Sequence, residues 1–254
     1  MISQIIQRKG GGSSQYQIAG LTQSHWLAHN VTFSSGITVD GIADEALTTN
    51  LSAGTDVGGS RSGMYVANGW PDGGPYMQLG PLNTKGYLGA VDWATRLSGV
   101  RTPFSVVFLF NNGAVASSAI LGCVMTGDSA AIWIYAVGTL ISTQIRTLAP
   151  AYTQKNTYKA GDLPSNTNAV AVVTYDGTTT RTFINGAETT PYSLQQTSDD
   201  ANTMVWHTFN IGSGGTGGTY AGNFKLAEAH VYLGCLTTEQ VVRISHSALN
   251  RRGL

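Results

Sequence analysis

Residues 68–76, Asn-Gly-Trp-Pro-Asp-Gly-Gly-Pro-Tyr, set two aromatic rings, Trp70 and Tyr76, near the carboxylate of Asp72 in a loop rich in glycine and proline. Such a set suits a sugar: an aromatic face covers the C–H side of the pyranose, and a planar polar group takes its hydroxyls. A tryptophan in an exposed loop has few structural reasons to be there, so Trp70, Asp72 and Tyr76 are the candidate carbohydrate-binding residues. Trp133 and Tyr135 share one face of a strand-like run and read instead as core or sheet-covering residues. A second chemistry lies in residues 195–203, where Asp199, Asp200 and Asn202 offer the hard oxygen donors that calcium takes. Asp128 or Asp72 could add ligands from other loops, and a solvated acidic turn is the competing reading. The run Gly-Ser-Gly-Gly-Thr-Gly-Gly at 212–218 lacks the Gly-Lys-Ser/Thr ending of a phosphate cradle and reads as a loop. His25 and His29 stand four apart, a spacing that shares a metal only on a helix, and their stretch reads as strand. His207, His230 and His246 show no ligand spacing.

The chain that must position these residues has 254 of them, formal net charge zero, and only 11% charged residues. An average globular protein carries about 25%, so the surface is polar without being ionic. Phosphate binding needs a basic field, which excludes nucleic acid as the main partner. Hydrophobic residues at 42% supply a core and argue against disorder. No run approaches the roughly 18 apolar residues of a membrane span. The N-terminus lacks the basic-then-apolar order of a secretory signal, which points to synthesis in a reducing cytoplasm. On that reading Cys123 and Cys235 are two buried thiols, with a single disulfide as the alternative.

Residues 8–15, Arg-Lys-Gly-Gly-Gly-Ser-Ser-Gln, read as flexible, so residues 1–15 form an arm and 16–254 one domain. Strand patterns follow at 26–33, 62–68, 75–80, 104–110, 130–137, 168–175, 180–185, 207–212 and 224–233, punctuated by Gly, Asn and Asp. With no helical pattern between them, the expected class is all-β, an antiparallel sandwich. In 224–233, alternation puts Ala227, Ala229, Val231 and Leu233 on one face. Leu226, Glu228, His230 and Tyr232 take the other, which reads as half-solvated. The one helix starts at Thr237, an N-cap forming a capping box with Gln240. Val241, Ile244, Ala248 and Leu249 give it an apolar stripe, and an edge or rim is its expected place. Arg251 and Arg252 complement its dipole or contact a partner.

The order of these signals carries a resemblance. A Val-rich strand leads to Asp176-Gly177, a short strand ends at Asn185-Gly186, and Ile211-Gly212, Gly222, Glu228, Leu236-Thr237, Glu239 and Val241 follow. This resembles the laminin-G-like, concanavalin A-like lectin/glucanase superfamily over about residues 100–246. The resemblance implies a jelly roll of two curved antiparallel sheets with a concave face. Some members of that superfamily are glycosidases with acidic residues alternating along one strand, which holds nucleophile and acid/base on one face. Here Asp44-Glu45 and Asp199-Asp200 are adjacent pairs, and Glu228 is flanked at the alternating positions by Leu226 and His230. The expectation is therefore a non-enzyme. Chains built around one such module resemble accessory proteins of tailed-bacteriophage virions, on capsid, neck or tail. That resemblance implies assembly in the host cytoplasm, homo-oligomeric contacts, other virion proteins as partners and contact with host glycans, the arm serving as anchor. A free carbohydrate-binding lectin is the alternative, and a glycosidase stands behind both.

Overall fold

Valine, isoleucine and aromatic residues between turn-forming Gly, Asn and Asp favour a pleated, half-buried backbone, and most of this chain is extended accordingly. A computed structural model describes residues 16–35, 38–46, 49–55, 61–79, 86–90, 93, 96–97, 99–100, 102–111, 119–126, 130–137, 140–146, 153–158, 166–189, 191–197, 203–204, 208–212 and 224–254. The first strands are β1 (Thr22–Ser35), β2 (Thr38–Asp44), β3 (Leu51–Thr55), β4 (Tyr65–Val66), β5 (Tyr76–Leu79) and β6 (Gly86–Ala90). The middle of the chain gives β7 (Gly99–Val100), β8 (Phe104–Asn111), β9 (Ala119–Thr126), β10 (Ala130–Val137), β11 (Leu140–Arg146) and β12 (Thr153–Tyr158). The last are β13 (Asn168–Tyr175), β14 (Thr180–Ile184), β15 (Ala187–Glu188), β16 (Pro191–Thr197), β17 (Thr203–Met204), β18 (Thr208–Ile211) and β19 (Phe224–Leu233). The helix α1 (Thr238–Arg251) closes the chain.

Every pairing among the described strands is antiparallel, and β1 joins two layers. Its residues 22–27 pair with β19, which continues through β8, β13 and β14. Its residues 31–35, and Trp26 opposite Asp44, pair with β2, and from there the ladder runs through β3, β6, β18, β9, β10, β11, β12 and β16. Register shifts between the two halves of β1 mark where the sheet folds over itself. Trp26, Leu88, Phe108, Val173 and Phe209 fill the space between the layers. Two inner tryptophans also satisfy their polar ends: Trp93 Nε1 donates to Ser24 Oγ at 2.6 Å, and Trp26 Nε1 donates to the Thr49 carbonyl at 2.7 Å. The all-β sandwich expected from sequence is what forms.

The turns form where their residues require them. Asn185 and Gly186 take φ of 52° and 86° between paired Ile184 and Ala187, the two left-handed positions of a tight hairpin. The Asn185 side chain also accepts from the Val170 backbone N–H at 2.8 Å, tying the turn to β13. Asp176 Oδ1 accepts from the N–H groups of Thr178 and Thr179, and Gly177 turns the chain at φ 99°.

Three expectations are corrected. Lys225, Leu226 and Glu228 oppose successive residues of β8 with Ala227 left over, so a bulge changes the alternation within β19. Leu226 thereby joins Ala229 and Val231 in the inner core, and Ala227 faces outward with Tyr232. The outward face is not half-solvated either, because α1 lies across it rather than at an edge. Val241, Ile244 and Ala248 of the helix pack with Val107, Leu109, Val170, Val172 and Phe183 of the sheet in a second core. Its start is the expected capping box: Gln240 N–H donates to Thr237 Oγ1 at 3.2 Å, and Thr237 N–H donates to Gln240 Oε1 at 2.8 Å.

The closest approach in the second layer is at Gly41, where an added Cβ would overlap the carbonyl oxygen of Leu51 on paired β3. Gly41→Ala should therefore push β2 and β3 apart and cost about 1–3 kcal/mol. The check is a lower urea midpoint at unchanged slope; a midpoint equal to that of the parent chain would refute it.

Candidate functional site

The outer face of β19 carries the chain's densest group of ionisable side chains among the described residues. After the bulge, alternation aims Glu228, His230 and Tyr232 outward, and the ladder sets His25 of β1 directly opposite His230. Tyr16 enters from the segment before β1, and Arg251 and Arg252 come from the end of α1. Tyr16 Oη donates to Glu228 Oε2 at 2.9 Å, and Tyr232 Oη donates to the Tyr16 carbonyl at 2.9 Å. His230 Nε2 stands 3.4 Å from the same Glu228 oxygen, and Arg252 Nε stands 3.4 Å from Oε1. Arg252 Nη1 pairs with Asp72 Oδ2 at 3.3 Å, and its Nη2 donates to the Pro75 carbonyl at 3.3 Å. The rings stack around this core: Tyr16 lies 4.3 Å from His230, His25 meets His230 edge-on at 5.1 Å, and Arg251 covers Tyr16 at 4.7 Å.

Glu228, His25 and His230 have no more than 1% of their surface exposed. Burial by itself pushes the Glu228 carboxyl up, but His230, Arg251 and Arg252 outweigh it and hold the group below the usual carboxylate range. Burial, then His230 and Arg251, push His25 down to about 3, so its imidazole is neutral at pH 7. Burial and the Glu228 charge raise the Tyr16 phenol, which stays a hydrogen-bond donor, and burial raises Tyr232 likewise. A carboxylate closed off from solvent, bonded to Tyr16 through one oxygen and facing Arg252 with the other, is not placed to attack a substrate. This arrangement therefore holds segments together. Among the described residues, no three His, Cys, Asp or Glu side chains form a metal-holding group.

Of the sequence-derived site residues, Trp70, Asp72 and Tyr76 fall around this network. Trp70 is not the exposed platform that its loop suggests: it is 3% exposed and packs in the second core with Tyr16, Leu236 and Ile244. The loop closes on itself, with Trp70 N–H donating to the Gly74 carbonyl and Gly73 N–H to the Trp70 carbonyl, and this turns the indole inward. Asp72 accepts from Gly74 N–H at 2.7 Å and clamps Arg252, so its carboxylate is engaged. Tyr76 is half-buried, with Lys225 Nζ 5.2 Å from its ring centroid and Trp70 6.4 Å away. Asp199, Asp200, Asn202 and Asp128 lie outside the described residues, as do the arm 1–15, most of the 212–218 loop and the side chains of Trp133, Tyr135 and Cys123. Cys235 is a free, exposed thiol, not a buried one, because it sits in the turn between β19 and α1.

No protein-family model and no curated protein matches the chain. Solved structures do. One, of botulinum neurotoxin type C, concerns cell entry through two ganglioside molecules; it is 12% identical over 88% of this chain and 51% of its own, at a TM-score of 0.56. The ligand-binding domain of botulinum neurotoxin serotype D, solved with N-acetylneuraminic acid, is 10% identical over 90% of this chain and 51% of its own, at 0.58. The receptor-binding domain of type G aligns at 0.55 with 11% identity, over 85% of this chain and 50% of its own. This chain thus spans about half the length of these three structures. At these identities the likeness establishes a shared β-sandwich fold.

The network generates a mutational expectation. Glu228→Ala strips Arg252, His230 and Tyr16 of their acceptor and should cost about 3–5 kcal/mol, as breaking a buried ion pair does. Glu228→Gln, which keeps the shape and one acceptor oxygen, should cost less. Equal denaturation midpoints for Glu228→Ala and the parent chain would contradict the role assigned to the carboxylate.

Proposed function

We propose that the chain is a non-catalytic recognition module, a lectin-like sandwich that binds an acidic glycan. We propose further that it is carried as an accessory protein of a tailed-bacteriophage virion. The observation that carries the first part is the fold, which extends over nearly the whole chain in the likeness to a ligand-binding domain solved with N-acetylneuraminic acid. The burial of Glu228 supports a binding role over a hydrolytic one, since retaining hydrolysis needs two accessible carboxylates on one face. The virion role rests on analogy: low charge, a Ser/Thr/Asn/Gly-rich composition and an apolar-then-glycine arm suit repeated contacts with copies of itself and with other virion proteins. Calcium in the 195–203 loop would be an accessory to the same module.

With Trp70 committed to the second core, half-buried Tyr76 and Lys225 of β19 beside it are the aromatic and cation offered to a sugar. The ammonium suits a carboxylated sugar. On a glycan array, the parent chain should retain sialylated or otherwise acidic glycans, and Lys225→Ala should weaken that binding about tenfold, the loss of one charge-assisted hydrogen bond. Absence of binding to every glycan would remove the lectin reading and leave the structural one.

The virion role has a separate test. Deleting residues 1–15 should abolish incorporation into particles while leaving thermal unfolding unchanged. Normal incorporation of the truncated chain would dismiss the anchoring arm.

A further inference from the structure

The two terminal segments meet over one buried carboxylate, and that geometry points to a device beyond ligand binding. We propose that the outer-face network is an acid-operated latch: protonation of His25 and Glu228 releases residues 16–21 and the end of α1 while the main sandwich stays folded.

The groups facing His25 come from every element packed around it. They are Tyr16 from the entering segment, Glu228, His230 and Tyr232 from β19, and Arg251 and Arg252 from α1, with Arg243 facing Tyr232 and Asp72 facing Arg252. The rest of the layer, Val107, Leu109, Val170, Val172 and Phe183, is apolar. Glu228 is thus the buried carboxylate on which the nearby cations converge. A proton on His25 adds positive charge beside Arg251 and His230, and among the described residues neither of its ring nitrogens has a hydrogen-bond partner. A proton on Glu228 removes the negative charge that holds His230 and Arg252 and turns one of its two acceptor oxygens into a donor.

The direction follows from linkage. His25 is depressed from 6.5 to about 3, so the unfolded or open state binds the extra proton between those values, and stability falls as pH drops through that window. Glu228 is lowered from 4.5, so its contribution is present above 4.5 and lost as pH falls below it. Both groups push the same way.

Release is local because of what the network holds. Residues 16–21 precede β1, and Arg252 follows the last turn of α1, so both can leave without breaking a ladder. The inner core of Trp26, Phe108, Val173 and Phe209 contains no ionisable group of this set. Opening would uncover Tyr16, Ile18 and Ala248, part of an apolar layer now covered.

Hydrogen exchange on the full chain, at pH 7 and pH 5 and corrected for intrinsic rates, tests this directly. Amides of 16–21 and 248–252 should exchange about tenfold or more faster at pH 5, while those of β8 and β13 keep their protection. Binding of an apolar dye should rise over the same range with unchanged far-ultraviolet circular dichroism and reverse on neutralisation. His25→Phe, which removes the titrating ring but fills its place, should keep the latch closed at pH 5. The proposal is overturned if protection is equal at both pH values, if all segments lose it together, or if His25→Phe opens as the parent chain does. Should His25→Phe fail to fold, the segment-resolved exchange of the parent chain decides by itself.

Discussion

A sheet whose central strands are apolar on both faces has to be covered twice, and this requirement shapes the molecule. Strands β8, β13 and β19 are buried along almost their whole length. The curled second layer covers one face. The other is covered by what remains, the C-terminal helix, the segment before β1 and the loop around Trp70. Burying a charge in such a layer is costly unless it is paired. Glu228 sits in it, and its partners come from the pieces that form the cover: Tyr16 from the front, Arg252 from the back, with Arg252 passing the contact on to Asp72 and Pro75 in the loop. The carboxylate therefore selects one arrangement of three segments that hydrophobic contact alone would hold less specifically.

This changes how the aromatic loop reads. A Trp among Gly and Pro signals exposure only if nothing needs its area. Here the second core does, and Trp70 is part of the cover rather than a platform. Recognition, on the reading proposed above, falls to residues at the margin of that cover, where Tyr76 and Lys225 sit. An accessory role and a glycan role are compatible with a charge-poor surface, because neither needs a strong long-range field.

What the sequence determined by itself is local. Asp176-Gly177 and Asn185-Gly186 are turns because their residues tolerate left-handed backbone or hydrogen-bond their own neighbours, and both form. Thr237 and Gln240 specify the helix start through bonds spanning three residues. The strands at 104–111, 168–175 and 224–233 follow from β-branched and aromatic runs between turn residues. In each case the determining groups lie within one turn or one strand, so the chain needs no tertiary context to express them.

What only the tertiary structure decided is where distant segments meet. Tyr16 and Glu228 are 212 positions apart, and no periodicity links them. The bulge at Ala227 changed which residues of β19 face the core, and a single inserted residue leaves no sequence signal stronger than the alternation it breaks. The pattern Glu228-x-His230-x-Tyr232 was visible, as was a helix ending in Arg251-Arg252, but a polar strand face reads as solvated until a cover is known. The burial of that face, and with it the engagement of Arg252, Asp72 and Trp70, is a property of packing: it depends on which apolar surface remains uncovered once the sandwich has closed.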